Sequence, residues 1–161
     1  SLFQRHIPSW MNASPEFSLV QTQADLDLCY EIRRAVFVVE QSVPLSEEFD
    51  TIDAKATHVL GRLAGRAVAT GRLYRTGQAW RIGRIAVVAD ARGAGYGAAL
   101  IRFVMAHIRH IAAEPDPHQM ELDAQLSAIS FYERLGFTAT GPEFDDGSGI
   151  LHRKMALNFG K

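Results

Sequence analysis

Two rhythms of apolar residues run along this chain. The first is extended: Phe17 to Val20 is a short apolar run, and "THVLGRLAG", "RAVATGRLYRTG" and "AWRIGRIAVVA" follow further on. Their lengths and branched or aromatic residues predict strands. Ala64-Gly65 is a tight-turn signal that joins the first two long stretches as a hairpin, and Thr76-Gly77-Gln78 turns the chain into the third. The second rhythm is helical. Leu26, Cys29 or Tyr30, Arg33, Val36 and Phe37 share one helical stripe, with Thr22 or Asp25 as the cap and Pro44 forbidding continuation past "FVVEQSVP". A second stripe carries Ala99, Leu100, Phe103, Val104, His107, Ile108 and Ile111, and "AAEPDPHQ" breaks it. The remainder predicts a short strand at "MELDAQ", a helix over "LSAISFYERLG" stopped by Gly136, and a closing hairpin of "FTATGPEF" and "ILHRKMALNF" around "DDGSG".

Only "LSEEFDTIDAKATH" shows no apolar period, and its Glu47, Glu48, Asp50 and Asp53 read as an exposed acidic loop. The resulting order is β-α-ββ-β-α-β-α-ββ. It is mostly antiparallel with one βαβ crossover, which predicts an α+β (mixed α/β) domain around one sheet.

The length, 161 residues, suits one domain with a substantial core. Residues 15–161 are expected to form it, with residues 1–14 an arm draped over it through Phe3, Ile7 and Trp10. Hydrophobic residues are 47% and charged residues 22%, ordinary for a globular chain. A formal charge of -1 offers no general basic surface, so no nucleic-acid partner is expected. The single cysteine, Cys29, excludes an internal disulfide framework and a Cys-based metal site, and makes a cytoplasmic setting the default. No run reaches the length of a membrane span, and the first residues lack the apolar core of a secretory signal, so no membrane role is expected.

The chemistry concentrates in "ADARGAGYGAALI", where Gly93, Gly95 and Gly97 fall between an apolar strand and an apolar helix. Such a turn presents backbone N–H groups to an anion, most often a phosphate. Read from Gly93 it fits G-x-G-x-x-A, a variant of the dinucleotide fingerprint. Read from Arg92 it fits R-x-x-G-x-G. A dinucleotide fold needs several further parallel strands linked by helices, whereas hairpins flank this unit on both sides.

"IGRIAVVADARGAGYGAALI" closely resembles the acetyl-CoA-binding segment of the GNAT N-acetyltransferases, with Arg92, Gly95 and Gly97 at the signature positions. Downstream, "AISFYERLGF" resembles that family's second cofactor segment, matched by Ala128, Phe131, Tyr132, Arg134, Gly136 and Phe137. Two motifs in family order are far more specific than either alone, and the resemblance spans Phe17 to Leu157. "RRAVFVVEQSVP", then Asp50, Asp53 and His58, then "LDAQ" look like the ElaA-like branch, where Gln125 replaces the Asn that many members carry.

The resemblance implies the GNAT acyl-CoA N-acyltransferase fold, a mostly antiparallel sheet of about seven strands that splays between the fourth and fifth. It implies acetyl-CoA as co-substrate, without a metal. Ile85, Ala86 and Val87 would pair with the pantetheine arm, and an N–H near Val87 would polarise the thioester carbonyl. Arg92, Gly93, Ala94, Gly95, Tyr96, Gly97 and Ala98 would cradle the pyrophosphate at a helix start, with Phe131 and Tyr132 completing the cofactor side. Tyr132 matches the tyrosine placed near sulfur, as acid or hydrogen-bond donor. For the base, Glu40 is the first candidate and His152 the second, and the acids together would attract a cationic amine.

His107 and His110 lack a third metal ligand in the sequence, Cys29 sits on an apolar stripe, and Ser127 reads as a helix cap. The expected activity is acetyl transfer from acetyl-CoA to a primary amine, of a small molecule or a protein lysine, by direct attack in a ternary complex. A non-catalytic acyl-CoA-binding domain is the alternative. A homodimer is a fair default for such a chain.

Overall fold

The computed structural model describes residues 13–160, so nearly all of the expected N-terminal arm lies outside the described residues. Seven strands form one sheet in the order β1-β2-β3-β4-β5-β7-β6. In chain order they are β1 (Glu16–Leu19), β2 (Thr57–Leu63), β3 (Arg66–Arg75), β4 (Trp80–Val87), β5 (Gln119–Gln125), β6 (Thr138–Asp145) and β7 (Leu151–Asn158). Every pairing is antiparallel except β4 with β5. The β2–β3 hairpin turns at Ala64 and Gly65, both at positive φ (48° and 82°), as a two-residue turn with the right twist requires.

Helix α1 (Gln23–Arg33) begins at Thr22, whose hydroxyl accepts from the Asp25 N–H at 3.2 Å. The helix runs on into a wider π-turn, Arg34–Glu40, closed by Gln41 N–H donating to the Val36 carbonyl. Its inner stripe, Cys29, Ile32 and Val36, packs with Leu60 and Ala86 on one face of the sheet. Helix α3 (Tyr96–Ile111) packs Leu100, Ile101, Val104 and Ile108 against the other face with Val59, Leu73, Ile82 and Met120. Cys29 is fully buried, and burial pushes its thiol up, as a core cysteine rather than a nucleophile.

The acidic stretch departs from expectation. It is not an exposed loop: α2 (Leu45–Glu48) and a 3₁₀ turn (Thr51–Ala54) fold it against the sheet. Asp50 caps the turn by accepting from Ile52 N–H, while its own N–H donates to Asp53. Glu48 and Asp53 are buried, only 3% and 9% exposed. Their burial is compensated by arginines from elsewhere in the chain, which no local pattern reveals.

The helix expected over "LSAISFYERLG" is also shorter. A 3₁₀ turn (Leu126–Ala128) precedes α4 (Ile129–Arg134), and Gly136 at φ 101° stops it. Ser127 does not cap it; Ala128 holds the N-cap position without a side-chain bond.

Candidate active site

Strands β4 and β5 pair only at Trp80 with Met120 and Arg81 with Glu121, then diverge. Arg81 pins the vertex, donating to Glu121 Oε2 at 3.3 Å and Asp123 Oδ2 at 2.7 Å. The gap opens into a cleft of about 890 Å³, within the usual range for small-molecule sites.

At one end lies the glycine loop. Gly93 and Gly95 adopt φ of 87° and 83°, and a Cβ on either would meet nothing within 4 Å. Space is therefore kept open beside backbone that only glycine adopts without strain, and the loop's N–H groups could hold an anion there. Gly97 opens α3 between Phe131 Cζ and Val87 Cγ2, each 3.7 Å from where its Cβ would stand, so the two sequence motifs meet there. Of the residues expected on the cofactor side, all but Ala94 line the cleft.

Arg92 and Glu40 form a bidentate pair at 2.8 and 3.0 Å, joining the loop to the end of the π-turn. Arg92 Nε also donates to the Val87 carbonyl at 2.9 Å. Glu40 thus stands beside the glycine loop rather than on the cleft wall. Val88 N–H donates across to Val68, so by strand alternation Val87 points its own N–H and carbonyl into the splay. Arg92 occupies that carbonyl, and the N–H faces the cleft.

Tyr132 lines the middle of the cleft, its ring edge-on to Phe131 and Phe137 at centroid distances of 5.0 and 6.2 Å. Burial pushes its hydroxyl up to about 12, so it remains a proton donor well into alkaline solution. Gln125 donates to Gln41 at 2.8 Å, bridging the end of β5 to the residue after the π-turn.

At the other end His152, buried on β7, also lines the cleft. Its Nδ1 lies 2.7 Å from the Ile150 carbonyl, which can only accept, so in the neutral ring the proton sits on Nδ1 and Nε2 keeps its lone pair. Asp146 Oδ2 stands 3.6 Å from Nε2.

The acidic segment forms the facing wall. Arg33, 1% exposed, donates to Glu48 Oε1 and to both Asp53 oxygens. Arg72 donates to both Asp50 oxygens and to Asp53, and Arg84 reaches Glu48 and Asp50. Burial works to raise the carboxyls of Asp50 and Asp53, but their arginines win and hold both below the usual carboxylate range. Glu48 goes the other way: burial raises it despite Arg84 and Arg33. His58 closes the network from behind by donating from Nε2 to the Asp53 carbonyl, and burial lowers its ring.

The structure therefore gathers Tyr132, His152, the glycine loop and the β4 backbone around one cleft. Gln41, Arg72, Arg84 and Asp146 also line it without having been singled out from sequence. Two of the arginine roles left traces: Arg33 stands on an otherwise apolar helical stripe, and the apolar alternation of β4 slips phase at Gly83-Arg84.

Residues 20–159 match the acetyltransferase (GNAT) domain family. The chain belongs to the GNAT acetyltransferase family. A Bacillus subtilis relative that carries an acetyltransferase name, BSU40680, is 31% identical over 128 residues, which are 78% of this chain and 84% of that protein. Escherichia coli ElaA superposes with a TM-score of 0.77 at 27% identity, covering 89% of this chain and 99% of that one. An acyl-CoA N-acyltransferase from Pseudomonas aeruginosa gives 0.76 at 27% identity, with the same coverage. The ElaA similarity agrees with the branch that the sequence resembles. Membership makes this GNAT domain an acyltransferase, with the seven-stranded, splayed mixed sheet expected of it. Among the described residues no helix is long and apolar enough to cross a membrane.

Proposed function

We propose that this GNAT domain transfers the acetyl group of acetyl-CoA to a primary amine, with His152 as base and Tyr132 as acid. The observation that carries this reading is the splay itself: an open glycine loop at one end, an imidazole nitrogen with its lone pair free at the other, and a half-buried phenol lining the cleft with them. The pyrophosphate lies on the N–H groups of the loop before α3, and the pantetheine arm pairs with the open edge of β4. The Val87 N–H donates to the thioester oxygen and gains most when that oxygen becomes anionic.

The acceptor, arriving as an ammonium, gives one proton to solvent; the free amine then attacks the thioester carbon, and His152 Nε2 takes the second proton from its nitrogen. Asp146 stands ready to pair with the imidazolium so created. As the C–S bond breaks, the Tyr132 hydroxyl donates its proton to the departing thiolate, and the amide leaves with the acetyl group. Both proton positions are restored by exchange with solvent and with each other.

Glu40, the first sequence candidate for the base, is better read as the partner that holds Arg92 across the loop, since both of its oxygens are engaged there. Arg33, Arg72 and Arg84 are shared among Glu48, Asp50 and Asp53, while among the described residues no arginine pairs with the carboxylates of Glu47 and Asp146, which favours a cationic acceptor.

The test is acetyl-CoA turnover over a panel of small amines and lysine peptides with wild type, Tyr132→Phe and His152→Asn. Turnover by wild type, with a loss of about 100-fold or more in kcat for each variant and CoA binding retained, supports the assignment. CoA binding without turnover of any amine would favour the acyl-CoA-binding alternative.

A further inference from the structure

We propose that Arg84 is a positioning residue which ties the acidic acceptor wall to the reacting edge of β4, an inference that rests on the acetyl-transfer reading above. In "WRIGRIAVV" the apolar positions shift phase, from Trp80 and Ile82 to Ile85 and Val87. All four nevertheless pack on the α3 face, while Ala86 packs under α1. A bulge reconciles the two phases. Thr70 pairs with Ala86 and Arg72 with Gly83, so Arg84 and Ile85 together oppose only Gly71. The fit is close, since a Cβ on Gly71 would stand 2.6 Å from Ile85 Cδ1.

The bulge also decides which way the backbone points. Thr76 N–H donates to the Ala79 carbonyl, so before the bulge the odd residues of β4 face β3. Val88 N–H donates to Val68, so after it the even residues do. Had the strand kept its earlier register through to Val87, that residue would turn its N–H toward β3. With the bulge, that N–H faces the cleft.

Arg84 carries the bulge at φ 52°, in the left-handed region where an L side chain's Cβ crowds the backbone. A glycine would relieve this, yet the strand's glycine, Gly83, stands one residue earlier and an arginine occupies the strained position. Its guanidinium explains the choice. Nε donates to the Glu48 carbonyl at 3.2 Å, and Nη2 donates to the Glu47 carbonyl at 3.1 Å and to Asp50 Oδ2 at 3.2 Å. Nε also lies 3.3 Å from Glu48 Oε1. Every one of these partners belongs to the wall. Seating the wall and holding the bulge are thus one event, and the direction of the Val87 N–H depends on it.

Arg84→Gly separates anchor from strain, because glycine accepts the backbone angle while the guanidinium is lost with the side chain. Arg84→Lys keeps the charge and loses the fork. The Arg84→Gly protein should stay folded and bind CoA within about twofold of wild type, shown by thermal protection, while kcat falls about 10- to 100-fold. Arg84→Lys should restore part of that loss. A second readout needs no turnover: amide exchange at Val88, whose N–H holds the bulged strand to β3, should speed up about tenfold in Arg84→Gly. Wild-type kcat in Arg84→Gly, or unchanged exchange at Val88, would overturn the proposal. If wild type acetylates no amine, the acetyl-transfer reading fails by itself, and Val88 exchange still decides the role of Arg84.

Discussion

Replacing Arg33 by methionine keeps most of the side-chain stem but removes a charge at the centre of the acceptor wall. Arg33 makes four hydrogen bonds, to Glu48 Oε1 at 2.9 Å, Asp53 Oδ1 at 2.7 Å, the Glu48 carbonyl at 2.8 Å and Asp53 Oδ2 at 3.1 Å. Its guanidinium also lies over the rings of Tyr30 and Phe49, at 5.2 and 4.9 Å. Breaking a buried pair typically costs about 3 to 5 kcal/mol, because a charge is left behind. Here Arg72 remains on Asp53 and Arg84 on Glu48, so the lower part of that range applies, about 3 to 4 kcal/mol. For a chain of this size that corresponds to a fall in Tm of about 6 to 16 °C.

Equilibrium unfolding in urea, followed by tryptophan fluorescence and circular dichroism, measures the loss. The pH dependence supplies a second check. Burial already raises the Glu48 carboxyl, and losing Arg33 raises it further, so the folded variant takes up a proton more readily than its unfolded chain as pH falls. Part of the lost stability should return as the pH is lowered from neutrality toward the ordinary carboxylate range. A cost below about 1 kcal/mol, or a deficit that grows on acidification, would refute the reading of a buried, charge-balanced wall.

Tyr132→Phe keeps the edge contacts with Phe131 and Phe137, so its Tm should match wild type while kcat drops about 100-fold; a Tm loss with unchanged kcat would make Tyr132 a packing residue. An ordinary tyrosine ionises near about pH 10, whereas Tyr132 is held up to about 12, so the wild-type kcat profile should show no tyrosine limb at pH 10; a fall there, absent from Tyr132→Phe, would contradict its burial. Gly95→Ala forces a Cβ onto φ 83° and should cost about 1 to 2 kcal/mol while raising the KM for acetyl-CoA more than that for the amine. Equal effects on both substrates would argue against the loop as the phosphate cradle.

Much of this fold was legible because its signals are local. The lengths and branched residues of β2 and β3, the Ala64-Gly65 turn, the α3 stripe and the stop at Gly136 all depend on residues within a few positions of one another. The glycine loop was legible for the same reason: neighbouring N–H groups and tolerated φ angles are properties of consecutive residues. The two motifs together even implied the splay between β4 and β5.

What the sequence could not decide is which charges meet. Arg33 reaches Asp53 across 20 residues, Arg84 reaches Asp50 across 34, and Arg92 reaches Glu40 across 52. Ion pairs follow distance in space, and many loop paths between the same elements would have left these acids in water. Hence Glu48 and Asp53 read as solvated and are buried, while Glu40 read as a base and is paired to Arg92. His152 shows the same division. Its place on a strand was readable, but the Ile150 carbonyl that fixes its proton and the Asp146 carboxylate beside it depend on how the β6–β7 turn folds back. The chain alone determined a splayed sheet with a glycine-rich loop at its opening; only the tertiary structure decided which side chains stand ready beside it, because proton transfer and charge balance act through distances that sequence separation does not measure.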